Sequence, residues 1–110
     1  MHPHRGEVWW VSFDAAIGGE IQKTRPAVIV SNNAANAALN RVVVVPLTSR
    51  TDRVYPGEAV VLINDQKSKA MADQIATASK VRLRNKVGIL SHADLTLVED
   101  AILFQLNIRR

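Results

Sequence analysis

The chain contains no cysteine. Disulfides are therefore excluded, as are thiolate zinc sites and a cysteine nucleophile, and the absence fits a reducing compartment. No apolar run approaches the roughly 20 residues that span a bilayer. Met1 to Arg5 is polar and carries no apolar stretch of signal-peptide form. The expectation is a soluble, cytoplasmic protein without membrane association. Glycine-rich loops of the GxGxxG or Walker kind are missing, which argues against nucleotide hydrolysis. Histidine is scarce too: His2, His4 and His92 have no carboxylate cluster beside them, so no metal site and no cofactor is expected.

What is present is ordinary globular material. Of the 110 residues, 47% are hydrophobic and 22% charged, which suits one folded domain over residues 1–110 with a single core. The formal net charge is +4. A basic balance favours an anionic partner, either nucleic acid or an acidic protein.

Short strands dominate the pattern. Gly6 to Phe13 is rich in β-branched and aromatic residues, as strands are. Asp14 to Thr24, with Gly18-Gly19, reads as a long connection, and long loops in compact domains often carry function. Pro26 to Ser31 is an apolar strand. Asn32 to Asn40 is alanine-rich and fits a short helix or a turn-like crossing. Arg41 to Thr48 is a third strand, with Pro46 removing a ladder donor and so suggesting an edge or a bulge. Pro56-Gly57 marks a turn before a fourth strand, Glu58 to Ile63. Asn64 to Lys69 reads as polar loop, Ala70 to Ile75 as a fifth strand and Lys80 to Leu83 as another short one, while Val87 to Leu90 is ambiguous and compatible with an extension of the sheet. Ser91 to Asp94 resembles a capping box. Leu95, Val98, Ile102 and Leu106 then recur at helical spacing on one apolar face, with Arg109 and Arg110 placed to complement the helix dipole. The expected class is mainly β (α+β), a small antiparallel barrel with a C-terminal helix and a short inserted helix.

Two polar clusters flank strands: Glu20, Gln22, Lys23, Thr24 and Arg25, and then Thr48, Ser49 and Arg50. Arg25 precedes Pro26, whose ring favours extended backbone at the arginine and so limits where the guanidinium leaves the sheet. Lys23, Arg50, Arg53, Lys67 and Lys69 fall in expected loops and could line a positive groove. Strand alternation puts one of Trp9 and Trp10 in the core, and both are assigned to packing in the core or in a dimer rather than to base stacking.

These residues carry a resemblance. Arg5-Gly6-Glu7-Val8-Trp9, Gly18 with Glu20, Thr24 to Asn32, Val43 to Ser49, Val54-Tyr55-Pro56 and Ala72 to Ile75 together look like the MazF/PemK/Kid toxin family over nearly the whole chain. The resemblance implies an SH3-like barrel paired as a homodimer. It implies endonucleolytic cleavage of single-stranded RNA, mRNA included, and a cognate antitoxin with an acidic tail. By position, Arg25 falls on the family's catalytic arginine, Thr48 on its active-site threonine and Glu20 on the acidic loop position. Asp73 and Gln74 fall on positions that hold RNA or shape the site. Gln22, Lys23, Ser49 and Lys69 join them as expected RNA contacts. Gly19, Ile21 and Ala76 depart from the family's usual residues, at places that bear on the RNA motif more than on the chemistry.

The chemistry expected of such a site is attack by the substrate's own 2′-hydroxyl, giving a 2′,3′-cyclic phosphate and a 5′-hydroxyl without metal. Two rivals stand beside it. One is a non-catalytic toxin of the same barrel that traps a protein such as a topoisomerase. The other is a peptide-binding adaptor, for which only 5% of residues are aromatic.

Overall fold

The computed structural model describes residues 2–13 and 23–109, with Lys23 described by its backbone alone. Most of the expected Asp14 to Thr24 connection, including Glu20 and Gln22, lies outside the described residues. The fold is mainly antiparallel sheet with a C-terminal helix. Strands β1 (Glu7–Phe13) and β2 (Lys23–Ile29) lead to a short helix α1 (Asn33–Ala38) and to β3 (Arg41–Thr48). Strands β4 (Glu58–Ile63), β5 (Gln66–Met71), β6 (Ala76–Ser79) and β7 (Leu83–Ile89) precede the helix α2 (His92–Gln105).

The strand order is β4-β5-β3-β2-β1-β7, with β6 also paired to β3. The expected barrel is thus a bent sheet whose hydrogen-bonded path does not close. Its two ends nevertheless meet: Asn64 Nδ2 donates to the Val87 carbonyl at 3.2 Å. Gly88 permits this approach, because a Cβ there would sit 2.9 Å from Ile63 Cδ1.

Alternation along the strands divides the apolar residues between two clusters. Val8, Val28, Val45, Leu47, Val61 and Val98 belong to the larger one, against which α2 packs. Val11, Ala27, Ile29, Val42 and Val44 fill the other, with Trp9 and Phe13 against it.

β3 lies between neighbours on both sides, so Pro46 does not mark an edge strand. Val43 O accepts from Val30 N, which turns the odd residues of β3 toward β2 and the even ones toward β5 and β6. On that second side the β6 pairing ends at Val44 and the β5 pairing begins at Leu47. Pro46 occupies the interval, where its missing N–H breaks no ladder.

The segment from 64 to 83 departs most from expectation. Asn64-Asp65 is a tight hairpin turn with φ of 51° and 64°, both in the region that a two-residue primed turn requires. The polar run after it is strand β5, with Ser68 and Lys69 buried. Ala72–Gln74 is a 3₁₀ turn rather than strand, and so is Lys80–Arg82.

Helix α2 starts as read: Ser91 Oγ accepts from the Asp94 amide at 3.1 Å. Where a capping box would return Asp94 to Ser91, Asp94 Oδ2 accepts instead from the Leu62 amide at 2.9 Å and binds an outer strand to the helix. Leu97 and Phe104, off the buried face, are 47% and 63% exposed. The helix ends in a left-handed residue, Asn107, whose amide donates to Phe104 O while the Ile108 amide donates to Leu103 O. Those two bonds satisfy the last carbonyls. No basic residue lies in the last turn, so the stop rests on Asn107 and not on Arg109.

The N-terminal end is also tied down. His4 N donates to Glu7 Oε1 at 2.9 Å, and Arg5 reaches Glu99 at 2.6 Å and the Val30 carbonyl at 3.0 Å.

Candidate active site

The β2–β3 register sets the site. Ala27 faces Pro46 and Val28 faces Val45. Continuing it two places toward the start of β2 sets Arg25 opposite Thr48. Facing residues of an antiparallel pair project from the same side of the sheet. Both residues line one cleft of about 400 Å³, together with Trp10, Thr24, Pro26, Ser49 and the β4–β5 hairpin.

Arg25 is half-buried, and its Nε is buried without a hydrogen-bond partner among the described residues. A buried donor left unpaired costs about 1–3 kcal/mol. A guanidinium stays charged and offers a planar fork that fits phosphate. Thr48 is also half-buried, and its Oγ1 accepts from the Arg50 amide at 3.3 Å. That bond uses a lone pair and not the O–H hydrogen, so the hydroxyl retains a donor.

The other expected residues divide. Ser49 lines the cleft and is exposed. Lys23 starts β2 beside it. Asp73 and Gln74 sit in the 3₁₀ turn between β5 and β6, and Asp73 lines a different hollow, with Tyr55, Glu58 and Gln105. Lys69, expected in a loop, is buried in β5 with its Nζ 3.2 Å from Glu58 Oε1.

Four polar or aromatic contributors were not anticipated. Trp10 is 42% exposed and lines the cleft opposite Pro26. Trp9 is the tryptophan that packs, with its Nε1 donating to Glu7 Oε1 at 3.0 Å. Alternation tells the two tryptophans apart, and with Trp10 across from Pro26 and Arg25 across from Val11 the cleft draws on residues of both faces. Asn64 and Gln66 reach the cleft through the hairpin turn that the polar sequence disguised. Ser68 follows on the same strand.

A bent antiparallel sheet backed by a terminal helix, with an arginine and a threonine of neighbouring strands lining one mainly apolar cleft, defines a small α+β protein. The family model for the PemK-like, MazF-like toxin of type II toxin-antitoxin systems matches residues 4–106. The chain belongs to that family. It is 36% identical to endoribonuclease MazF9 of Mycobacterium tuberculosis, over 94% of this chain and 96% of the relative. It is 32% identical to the endoribonuclease toxin MazF of Escherichia coli K12, over 91% and 90%. Among solved structures, a mycobacterial endoribonuclease in complex with its cognate antitoxin superposes with a TM-score of 0.83 at 28% identity, covering 98% of both chains. MazF of Deinococcus radiodurans, at 22% identity and a TM-score of 0.84 over 98% and 99% of the two chains, shares the fold.

Proposed function

We propose that this chain is an endoribonuclease toxin of a type II toxin–antitoxin pair, a single domain that cuts single-stranded RNA at short sequence motifs without metal. The observation that carries the reading is that Arg25, whose buried Nε has no partner among the described residues, lines the same cleft as Thr48. The names of the relatives, endoribonucleases throughout, support the RNA substrate. A net charge of +4 suits both mRNA and an acidic cognate antitoxin, and the relative solved with its antitoxin supports the latter. A homodimer working in the cytoplasm completes the proposal.

The enzyme's tasks are to remove the 2′-hydroxyl proton, stabilise the phosphorane and protonate the departing 5′-oxygen. Arg25 takes two phosphoryl oxygens and holds the dianionic phosphorane. Thr48 donates to a non-bridging oxygen. Glu20 is the proposed base. The 2′-hydroxyl oxygen bonds to phosphorus as the bond to the 5′-oxygen breaks, the proton given to the base being balanced by one that water delivers to the departing oxygen, so the products carry 2′,3′-cyclic phosphate and 5′-hydroxyl ends. Gln22, Lys23 and Ser49 hold RNA near this centre, with Asp73 and Gln74 further along its path.

The test is cleavage of a long unstructured RNA in EDTA, with end-group analysis, wild type against Arg25→Ala. Cyclic-phosphate ends from the wild type alone are expected. Ends of 5′-phosphate type, or loss of activity in chelator, overturn the chemistry. Intact RNA returns the protein to the binding class.

A further inference from the structure

Lys69 is a buried cation one strand away from Thr48, and the two face each other in the β3–β5 ladder. Its side chain is 11% exposed and its Nζ lies 3.2 Å from Glu58 Oε1. The same Nζ donates to the Arg53 carbonyl at 2.8 Å. Glu58 Oε1 also accepts from the Tyr55 amide at 2.8 Å, and the Glu58 amide donates back to Tyr55 O at 3.0 Å. These contacts converge on the segment 49–57, which leaves the sheet after Thr48 and rejoins it at Glu58. At the segment's near end the Arg50 amide donates to Thr48 Oγ1 at 3.3 Å.

An ammonium has three donors, and two of these are engaged inside the protein. Drawing Lys69 out to a phosphate would strand the Glu58 carboxylate in a poorly solvated place, which is strongly unfavourable. We propose that Lys69 and Glu58 are a positioning pair for RNA cleavage. They lock segment 49–57 and, through it, the Arg50 amide that orients the Thr48 hydroxyl. The inference rests on the RNA-cleaving reading above and assigns Lys69 a different task from the RNA contact expected of a loop lysine.

The two tasks give opposite signs for one substitution. If Lys69 holds RNA, neutralising Glu58 frees a cation and tightens binding. If the pair positions Thr48, neutralising Glu58 and truncating Lys69 do the same harm. Full-length Glu58→Gln, Lys69→Met and the apolar pair Lys69→Met with Glu58→Leu are compared with wild type on a single-stranded RNA oligonucleotide, measuring kcat and KM across a salt series. Each single variant is expected to lose roughly 10- to 100-fold in kcat, as misplaced catalytic groups do, with KM and its salt slope at wild-type values. The apolar pair is expected to melt near the wild-type temperature, since replacing both members of a buried ion pair is often neutral, while keeping the low kcat. Tighter binding by Glu58→Gln, or a salt slope shallower by about 0.7 in Lys69→Met, overturns the proposal and makes Lys69 an RNA contact. Wild-type kcat in the folded apolar pair overturns it as well. A wild type that cuts no RNA is a separate result and counts against the enzymatic reading itself.

Discussion

Arg25 and Thr48 line one cleft, and they fall opposite one another when the register that pairs Ala27 with Pro46 is continued along neighbouring strands. Arg25→Ala is expected to abolish cleavage and to leave the melting temperature close to wild type. The buried Nε has no partner among the described residues to lose. Endpoint cleavage and a thermal melt check both halves. Residual turnover above a hundredth of wild type would remove Arg25 from the phosphate.

Thr48→Val keeps the shape of the side chain and deletes its hydroxyl. Loss of one preorganised donor costs about 2.7–4 kcal/mol of barrier, or roughly 10²- to 10³-fold in kcat. Thr48→Ser should retain most activity, because the hydroxyl and its bond from the Arg50 amide both survive. Equal activity in the valine and serine variants would show that the hydroxyl plays no part.

Trp10→Ala should raise KM for RNA and alter which motifs are cut, because an exposed indole beside the cleft is a surface on which an unstacked base can lie. Stacking of this kind is worth about 1–3 kcal/mol per base. Trp9→Ala should do the reverse, lowering the melting temperature with a smaller effect on KM, since Trp9 packs in the second cluster and bonds to Glu7. Cleavage-site sequencing with the two variants distinguishes them. An unchanged motif and KM in Trp10→Ala would exclude base contact.

Glu7 links stability to pH. Burial works against its charge, but the His4 amide, the Lys86 ammonium 3.0 Å away and the Trp9 indole outweigh it and hold the carboxyl below the ordinary value of 4.5. A depressed folded-state pKa stabilises the fold above the unfolded value and loses that effect as pH falls through the folded one. The melting temperature of the wild type should therefore fall more steeply below pH 4.5 than that of Glu7→Gln. Parallel curves for the two would show that Glu7 contributes no linkage.

Much of this was legible in the residues. Pro26 and Pro46 fix where two strands run near Arg25 and Thr48, and both residues line one cleft. Strands β3 and β4 and the Ser91 cap stand as the patterns predict. The β5 strand was hidden because its buried members include serine and lysine, whose burial depends on partners distant in sequence. The hairpin before it needs positive φ at both Asn64 and Asp65, a demand that Asn-Gly would announce more plainly. Which of Trp9 and Trp10 is covered was not legible, because alternation separates two faces without saying which one packs. The exposed Leu97 and Phe104 follow likewise from where α2 lies on the sheet and not from its spacing.

The wall of the cleft made by Ile63, Asn64 and Val87 is also the line along which the outer strands β4 and β7 abut without a shared ladder. Parting that wall asks for the loss of the Asn64 to Val87 contact and some apolar packing, and not of a run of backbone bonds. A boundary held by no shared ladder thus runs beside the cleft that Arg25 and Thr48 line. On the RNA-cleaving proposal, a polymer entering the cleft would press on that seam rather than on the inner strands that carry Arg25 and Thr48.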